Sequence, residues 1–311
     1  MLVAALASML LITGPQQTGP AQDPADPVVD LGDIVVDGRR VEDLTRQFVG
    51  EVAAPARNRG LARWREGVCV GVVNLKPEMA QYIADRVSTV AEDIGLKPGA
   101  PGCVPSVLVV ATVDASTFTT QFVSQRPRIF RVGGSGMDLG SRALNKFMTI
   151  DRPVRWWNVS LPVDSDTGRP AVRLPGDTDA AGNPTAPIIR RGAASRLSTQ
   201  VVDDTQRAFV IVDIDRIQDV SLEQLADYIA FVSLAQVDPD ADTSGFATIL
   251  NIFDDPQQTR TLSDWDKAYL KGLYDTIRTR QNFGAQRTEV IDSIVRAHRD
   301  LTATSEATNP E

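Results

Sequence analysis

One histidine, His298, stands in a chain of 311 residues, and that scarcity removes whole classes of chemistry. Two imidazoles one helical turn apart cannot occur, so no HExxH zinc site and no histidine-ligated metal cluster can form. A Ser-His-Asp triad would need His298 to reach a cleft, yet it sits beside Arg296 and Arg299 on a charged stretch expected to be solvated. The nucleophile elbow G-x-S-x-G is missing as well, because "GGSGM" has the wrong spacing and no strand leads into it. Cysteine is nearly as scarce. Cys69 and Cys103 lack the second ligand pair that a thiolate metal site needs. No long Lys/Arg run exists and the net charge is −8, which argues against a nucleic-acid surface, since neutralising phosphates takes clustered cations. The glycine-rich "RVGGSGMDLGSRAL" (131–144) lacks both the Lys-Ser/Thr of a phosphate loop and the G-x-G-x-x-G spacing, so it reads as a flexible connection. No metal and no cofactor is expected.

What is present is material for a core. Hydrophobic residues make up 42% of the chain, enough for a sizeable folded unit. The apolar run Leu2 to Ile12 has the length of a signal-peptide h-region and is too short to span a bilayer. A small-residue end near Ala21 fits processing, although the usual positive n-region is missing; a buried N-terminal helix is the alternative. Residues 13–30, rich in Pro, Gln, Gly and Asp, cannot order themselves by burial. The expected organisation is a signal peptide (1–22), a disordered linker (23–32), a single α/β domain (33–302) and a disordered tail (303–311). In an exported protein Cys69 and Cys103 read as a disulfide, closing a loop of about 34 residues and contributing ~3 kcal/mol. Two buried free thiols are the reading if the chain stays in a reducing compartment.

Along the domain, "DIVVDGRR" (33–40) is β-like, and Val41 to Ala54 has Leu44, Phe48 and Val52 at helical spacing. Next come a strand (Val68 to Val73), a helix opening after Pro77 and stopped by Gly95, and a continuous apolar strand (Val107 to Ala111), together a right-handed βαβ unit with parallel strands. Asp114 is a good N-cap for a helix to Val123. "RPVRWWNVSLPVD" (152–164) is a strand in which Trp156 and Trp157 must face opposite sides, one in the core and one at the surface or in a cleft. Residues 165–187 read as a long exposed excursion, "RAFVIVDID" (207–215) as a strand, and "SGFATILNIF" (244–253) as a strand or short helix. "SLEQLADYIAFVSLAQVD" (221–238) opens with a Ser221/Gln224 capping box and is apolar almost all round, so it predicts a buried helix. Ser263 or Asp264 caps a further helix, and the last runs from about Thr288 to Leu301.

Carboxylates remain as possible catalysts. Asp213, Asp215 and Asp219 straddle the end of a strand, and Glu223 and Asp227 lie one turn apart on the polar edge of the buried helix. Asp238, Asp240 and Asp242 alternate as in a calcium loop, but Ile249 stands where the twelfth-position Glu is required, leaving an ordinary acidic loop. Glu223, Asp227, Asp219, Arg155, Trp156 and Trp157 are the candidate groove residues.

The order "LARW" (61–64), βαβ, strand, "SLEQLADYIAFVSLAQV", "ILNIFDD" (249–255) and "LSDWDKAYLKGLYD" (262–275) resembles exported bacterial proteins of unknown function with a zincin-like core, of the domain of unknown function 2927 type. Glu223, Gln224, Ile252 to Asp255, Leu262, Asp266, Leu273 and Tyr274 carry the match. The resemblance implies a mixed sheet in which the buried helix occupies the place of a metallopeptidase active-site helix. That helix here offers Leu222, Glu223, Ala226 and Asp227 and no imidazole, so activity does not carry over. The expected function is a non-catalytic, periplasmic or secreted scaffold that binds a polypeptide or cell-envelope component, with no transmembrane segment in the mature chain. The alternative is a carboxylate-dependent envelope hydrolase acting on glycans or peptides.

Overall fold

The computed structural model describes residues 41–308 apart from 57–58, 133–136, most of 172–198 and 280–281. All of these lie in one compact unit, Arg40–Glu311. The leader, the linker and "DIVVDGRR" fall outside the described residues, as does about half of the expected excursion at 165–187.

The first helix, α1 (Val41–Val52), buries Thr45, Phe48, Val49 and Val52 on one face. The expected strand at 68–73 divides in two. β1 (Gly67–Val68) pairs in parallel with the short β3 (Lys97–Pro98), whereas β2 (Val70–Val73) pairs in parallel with β4 (Val107–Thr112). The division falls at Cys69, whose disulfide to Cys103 ties the two short strands to the loop before β4. Two glycines make this packing possible: a Cβ on Gly67 would lie 2.0 Å from the Lys97 carbonyl oxygen, and one on Gly99 2.5 Å from Cys103 Sγ. Between β2 and β4 runs α2 (Pro77–Asp93), with Pro at its start and Gly95 in the left-handed region just past its end. The parallel pairing of β2 and β4 with α2 between them is therefore as the sequence predicts.

Asp114 caps α3 (Ala115–Gln125), accepting from the Thr117 amide at 2.9 Å. After the one-turn α4 (Pro127–Phe130), the glycine-rich segment expected to be a flexible connection leads instead into α5 (Gly140–Thr149), whose Leu144 and Phe147 enter a core. The long strands β5 (Val154–Asp164) and β6 (Val201–Asp213) pair antiparallel with a bulge at Val159/Ser160. Since β6 lies parallel to β4, the sheet order is β2-β4-β6-β5, with three parallel strands and one antiparallel edge. This is the mixed α/β (α+β) architecture expected.

Both faces of the sheet are covered. Val107, Val109, Trp156, Val210 and Val212 point into the larger core with α1, α2 and the later helices, while Val110, Trp157, Phe209 and Ile211 point to α3, α4 and α5. Alternation along each strand thus feeds two cores, which is why β5 and β6 are buried along nearly their whole length. The helix that follows, α6 (Leu222–Leu234), begins with the predicted Ser221/Gln224 box and buries eleven residues, Gln224 to Leu234. Residues 244–253 form turns and a single 3-10 turn at Ile249–Asn251. Ser263 caps α7 (Asp264–Asp275) with Asp266 as its reciprocal partner. The last helix, α8 (Phe283–Thr308), is longer than predicted at both ends and runs through most of the tail expected to be disordered from 303. His298 on it is half-buried and stacks on Trp265 at 4.4 Å, rather than being solvated. Among the described residues no helix is long and apolar enough to cross a membrane.

α7 and α8 meet at a glycine. A Cβ on Gly272 would lie 2.4 Å from Ile294 Cγ1 and 2.6 Å from the Ile294 amide nitrogen, so the two helices approach to backbone contact. Gly272→Ala gains helix propensity of about 1 kcal/mol but must part the helices. The expected net result is a loss of roughly 1–3 kcal/mol, measured by urea denaturation; unchanged or raised stability would contradict this packing.

Candidate functional site

β5 is an edge strand. Beyond β6, its one further pairing among the described residues is an isolated bridge from Val163 to Pro170, so from Val154 to Leu161 its outer side meets no strand. It does not meet bulk water either. A groove of about 410 Å³ runs beside it, with Trp156, Trp157 and Asn158 in its floor, α5 forming one wall and residues 53–55 with 236–240 the other. The second wall is held by backbone bonds: the Ala54 amide donates to the Gln236 carbonyl (3.1 Å) and the Asp238 amide to that of Val52 (2.7 Å).

The two tryptophans fix the floor. Their indole N–H groups diverge, Trp156 donating to the Val237 carbonyl (3.2 Å) and Trp157 to that of Phe130 (2.9 Å), and their rings pack on Tyr228 and Phe147 respectively. Both are buried, at 7% and 3% exposure. Of the expectation that one tryptophan is in the core and the other at the surface or in a cleft, the surface position is corrected: helices cover both faces of the sheet, so both rings are interior, and both also line the groove. Asn158 turns its amide to the Val232 carbonyl of α6 (3.1 Å).

The charges at the mouth come from Asp240 of the acidic loop and from three basic residues outside the candidate set, Arg142, Lys146 and Arg152. Asp240 accepts from Lys146 and Arg152, which hold its carboxyl below the ordinary carboxylate range. Arg142, exposed on the α5 wall, has no ion pair or hydrogen bond among the described residues. The helical pattern of 140–149 carries both Arg142 and Lys146, but the glycines before it favour a loop over a helix in the sequence.

Of the six predicted groove residues Trp156 and Trp157 line this groove, and Arg155, Asp219, Glu223 and Asp227 do not. Arg155 is buried and donates to the Phe147 and Met148 carbonyls at the end of α5 (3.1 Å each) and to Ser116 Oγ, so it closes a helix end; burial lowers its pKa. Asp227 is not on a polar edge. It is fully buried, accepting from Arg86 of α2, Thr261 Oγ1 and the Leu262 amide (2.9 Å), and it ties α6 to α2 and to the entry of α7. Glu223, Asp215 and Asp219 are exposed, while Asp213 accepts from the Ala115 and Asp215 amides (3.3 Å each). In the acidic loop Asp238 accepts from the Asp240 amide and Asp242 from Ser244. Among the described residues no group of three or more His, Cys, Asp or Glu side chains is placed to hold a metal ion.

Asp266 is a further buried carboxylate with a perturbed equilibrium. Burial pushes its pKa up to about 6, against four donors: Thr248 Oγ1, the Ile249 amide, and the amide and hydroxyl of Ser263. These partners join the 3-10 turn to the start of α7, a structural duty. Comparison with protein-family models, with curated proteins and with solved structures finds no match.

The Asp266 shift has a sign that can be measured. Its folded-state value lies above the ordinary 3.8, so its stabilising contribution is fully present below that value and is lost as pH rises through about 6. The stability of the native chain relative to Asp266→Asn, which does not titrate, should grow by roughly 1 kcal/mol between about pH 7 and about pH 5. A difference that shrinks over this interval in paired urea titrations would show that the four donors outweigh burial.

Proposed function

We propose that this protein is an exported, non-catalytic scaffold of zincin-like type, and that the groove beside β5 holds an extended segment of a polypeptide partner in the periplasm or outside the cell. The observation that carries the reading is the recessed, unpaired outer side of β5, walled by α5 and residues 236–240. A strand added to such an edge gains affinity from main-chain hydrogen bonds and specificity from alternate side chains. Arg142 at the mouth favours a segment with an acidic residue there.

The zincin-like part of the proposal is supported by the sheet and the helix that follows it. β6 leads through a short turn into α6, which lies under the antiparallel edge strand and meets it through Trp156–Tyr228 and Asn158–Val232. At that place the chain supplies aromatic and aliphatic groups, and its single imidazole is on α8. Export is supported by the disulfide, which persists in oxidising compartments. The alternative of a carboxylate-dependent hydrolase draws less support, because Asp213 and Asp227 are committed to amides and to Arg86.

A random-sequence peptide display library selected on the purified protein tests the reading. The expected binders are extended, carry an acidic residue, slow amide exchange at Trp156 to Ser160, and are recovered uncleaved. Ala143→Trp, which fills the groove from the half-buried α5 wall, should weaken them by at least about tenfold with unfolding unchanged. Binders indifferent to this substitution, or cleavage of the bound peptide, would sink the proposal.

A further inference from the structure

A second cavity, of about 380 Å³, opens between α1, the segment 59–63, the start of β6, the end of α7 and the start of α8. Its lining is chemically lopsided. Four guanidinium groups, Arg59, Arg63, Arg278 and Arg287, face a single carboxylate, Asp203. Three of the four are occupied by the fold. Arg59 is buried and paired with Asp203, which also accepts from the Gly60 amide at 2.8 Å. Arg63 donates to the Leu273 and Tyr274 carbonyls (2.6 Å each) and to that of Thr276 (3.1 Å), closing the C-terminal end of α7 without meeting a carboxylate. Arg278 donates through one nitrogen, Nη2, to the Asp203 carbonyl and the Asp204 carboxylate. Arg287 is exposed and has neither a hydrogen bond nor an ion pair among the described residues.

Positive charge is therefore in excess where water is partly excluded. Burial and the neighbouring Arg278 lower the Arg63 pKa to about 10, which reports the same crowding of cations. Apart from Thr276, Gln286 and glycines, the rest of the lining is apolar, chiefly Val49, Leu61, Val202, Leu273, Ile277 and Val290. Ile277 is 53% exposed, an apolar side chain left at the rim of a cationic cavity. A small inorganic anion would leave these groups uncovered, and a neutral apolar molecule would leave the guanidinium groups uncompensated.

We infer that this cavity is a binding site for an amphiphilic carboxylate, a small organic acid whose anionic head lies against Arg287 and Arg278 while its aliphatic body covers Ile277, Leu61 and Val290. The volume falls in the range of small-molecule sites, about 300–1,000 Å³. The guanidinium fork suits a carboxylate head. One unpaired and one half-used arginine match a monoanion, and a strongly hydrated dianion would find too few free donors. The site borders the β5 groove at Ala53 and Pro55 but depends on none of the groove's binding residues, so it stands or falls separately from the proposed peptide site.

Isothermal titration with octanoate is the direct test, with octylammonium, 1-octanol and acetate as probes that separate charge from tail. Octanoate should bind saturably at one site per chain, and each of the other three should bind at least about tenfold more weakly. Arg287→Ala and Ile277→Asp, both at exposed positions, should each weaken octanoate by at least about fivefold, with thermal unfolding of the free protein unchanged; Arg287→Lys should restore part of the loss. Equal binding of octanol or acetate, no saturable octanoate binding, or octanoate binding indifferent to both Arg287→Ala and Ile277→Asp would overturn the inference.

Discussion

A helix with no solvent face has to be enclosed, and the enclosure of α6 sets the terms for the rest of this protein. Its eleven consecutive buried residues cannot be covered by a sheet alone, which shields one side. α2 covers another side, and α7 with the 3-10 turn at 249–251 closes more, while the α1 segment reaches it through Phe48 and Val49 in the same core. Burying so much aliphatic surface is favourable at roughly 25 cal/mol per Å², but a polar group carried inside without a partner is costly, and most, though not Ser233 Oγ, have one. The Ser221/Gln224 box serves the first turn, with Gln224 reaching on to the Pro256 and Thr259 carbonyls at 2.6 Å. Tyr274 and Trp64 donate to the Leu234 and Ser233 carbonyls at its end.

The same requirement explains where the acidic residues went. Asp203, Asp204, Asp227 and Asp266 are all at or below 6% exposure, and an isolated buried carboxylate would be prohibitively costly. Each is held by donors at several points: Asp227 by an arginine, a hydroxyl and an amide, Asp204 by Arg65 and Arg278, Asp266 by two hydroxyls and two amides. These bonds join segments far apart in the chain, such as 59–65 with 203–204 and 276–278. A carboxylate whose lone pairs are filled this way is a cross-link, and it is poorly placed to take a proton from water or substrate. The acidic residues that looked like catalytic candidates in the sequence are thus either cross-links, like Asp227, amide acceptors, like Asp213, or surface groups, like Glu223 and Asp219.

Which parts could be read from the sequence follows from how local their causes are. The βαβ unit, the Asp114 cap, both capping boxes and the buried helix rest on patterns spanning a few residues, and the strands of the parallel core announce themselves as unbroken apolar runs. The Cys69–Cys103 pair was legible because only two cysteines exist. What failed to show was set by distant parts of the chain. Trp156 and Trp157 alternate as any strand residues do, but only the presence of α3, α4 and α5 on the second face makes both of them interior. Asp227 sits at a spacing that suggests a polar edge, and only Arg86, 141 positions earlier, explains its burial. The site walls were the least legible part, since α5 hides behind glycines and residues 53–55 and 236–240 come together through two backbone bonds.

Burial and accessibility meet at β5, and that conjunction gives the groove its character. An exposed hydrophobic edge strand invites indiscriminate pairing between copies, so edges are ordinarily blunted or covered. Here the side chains of β5 are spent on two cores and on α6, leaving the backbone as the remaining recognition element, and the walls narrow access to it. Arg142, Lys146, Arg152 and Asp240 around the opening add charge that a flat apolar sheet edge would lack. A second copy of the same strand, with Trp156 and Trp157 already buried, would bring no free side chains to fill the walls. A flexible segment with its own small and acidic side chains would. On the proposed reading, the recess thus favours an unfolded partner segment over another folded edge, and the walls narrow the approach of a second sheet to the side of β5 that is unpaired among the described residues.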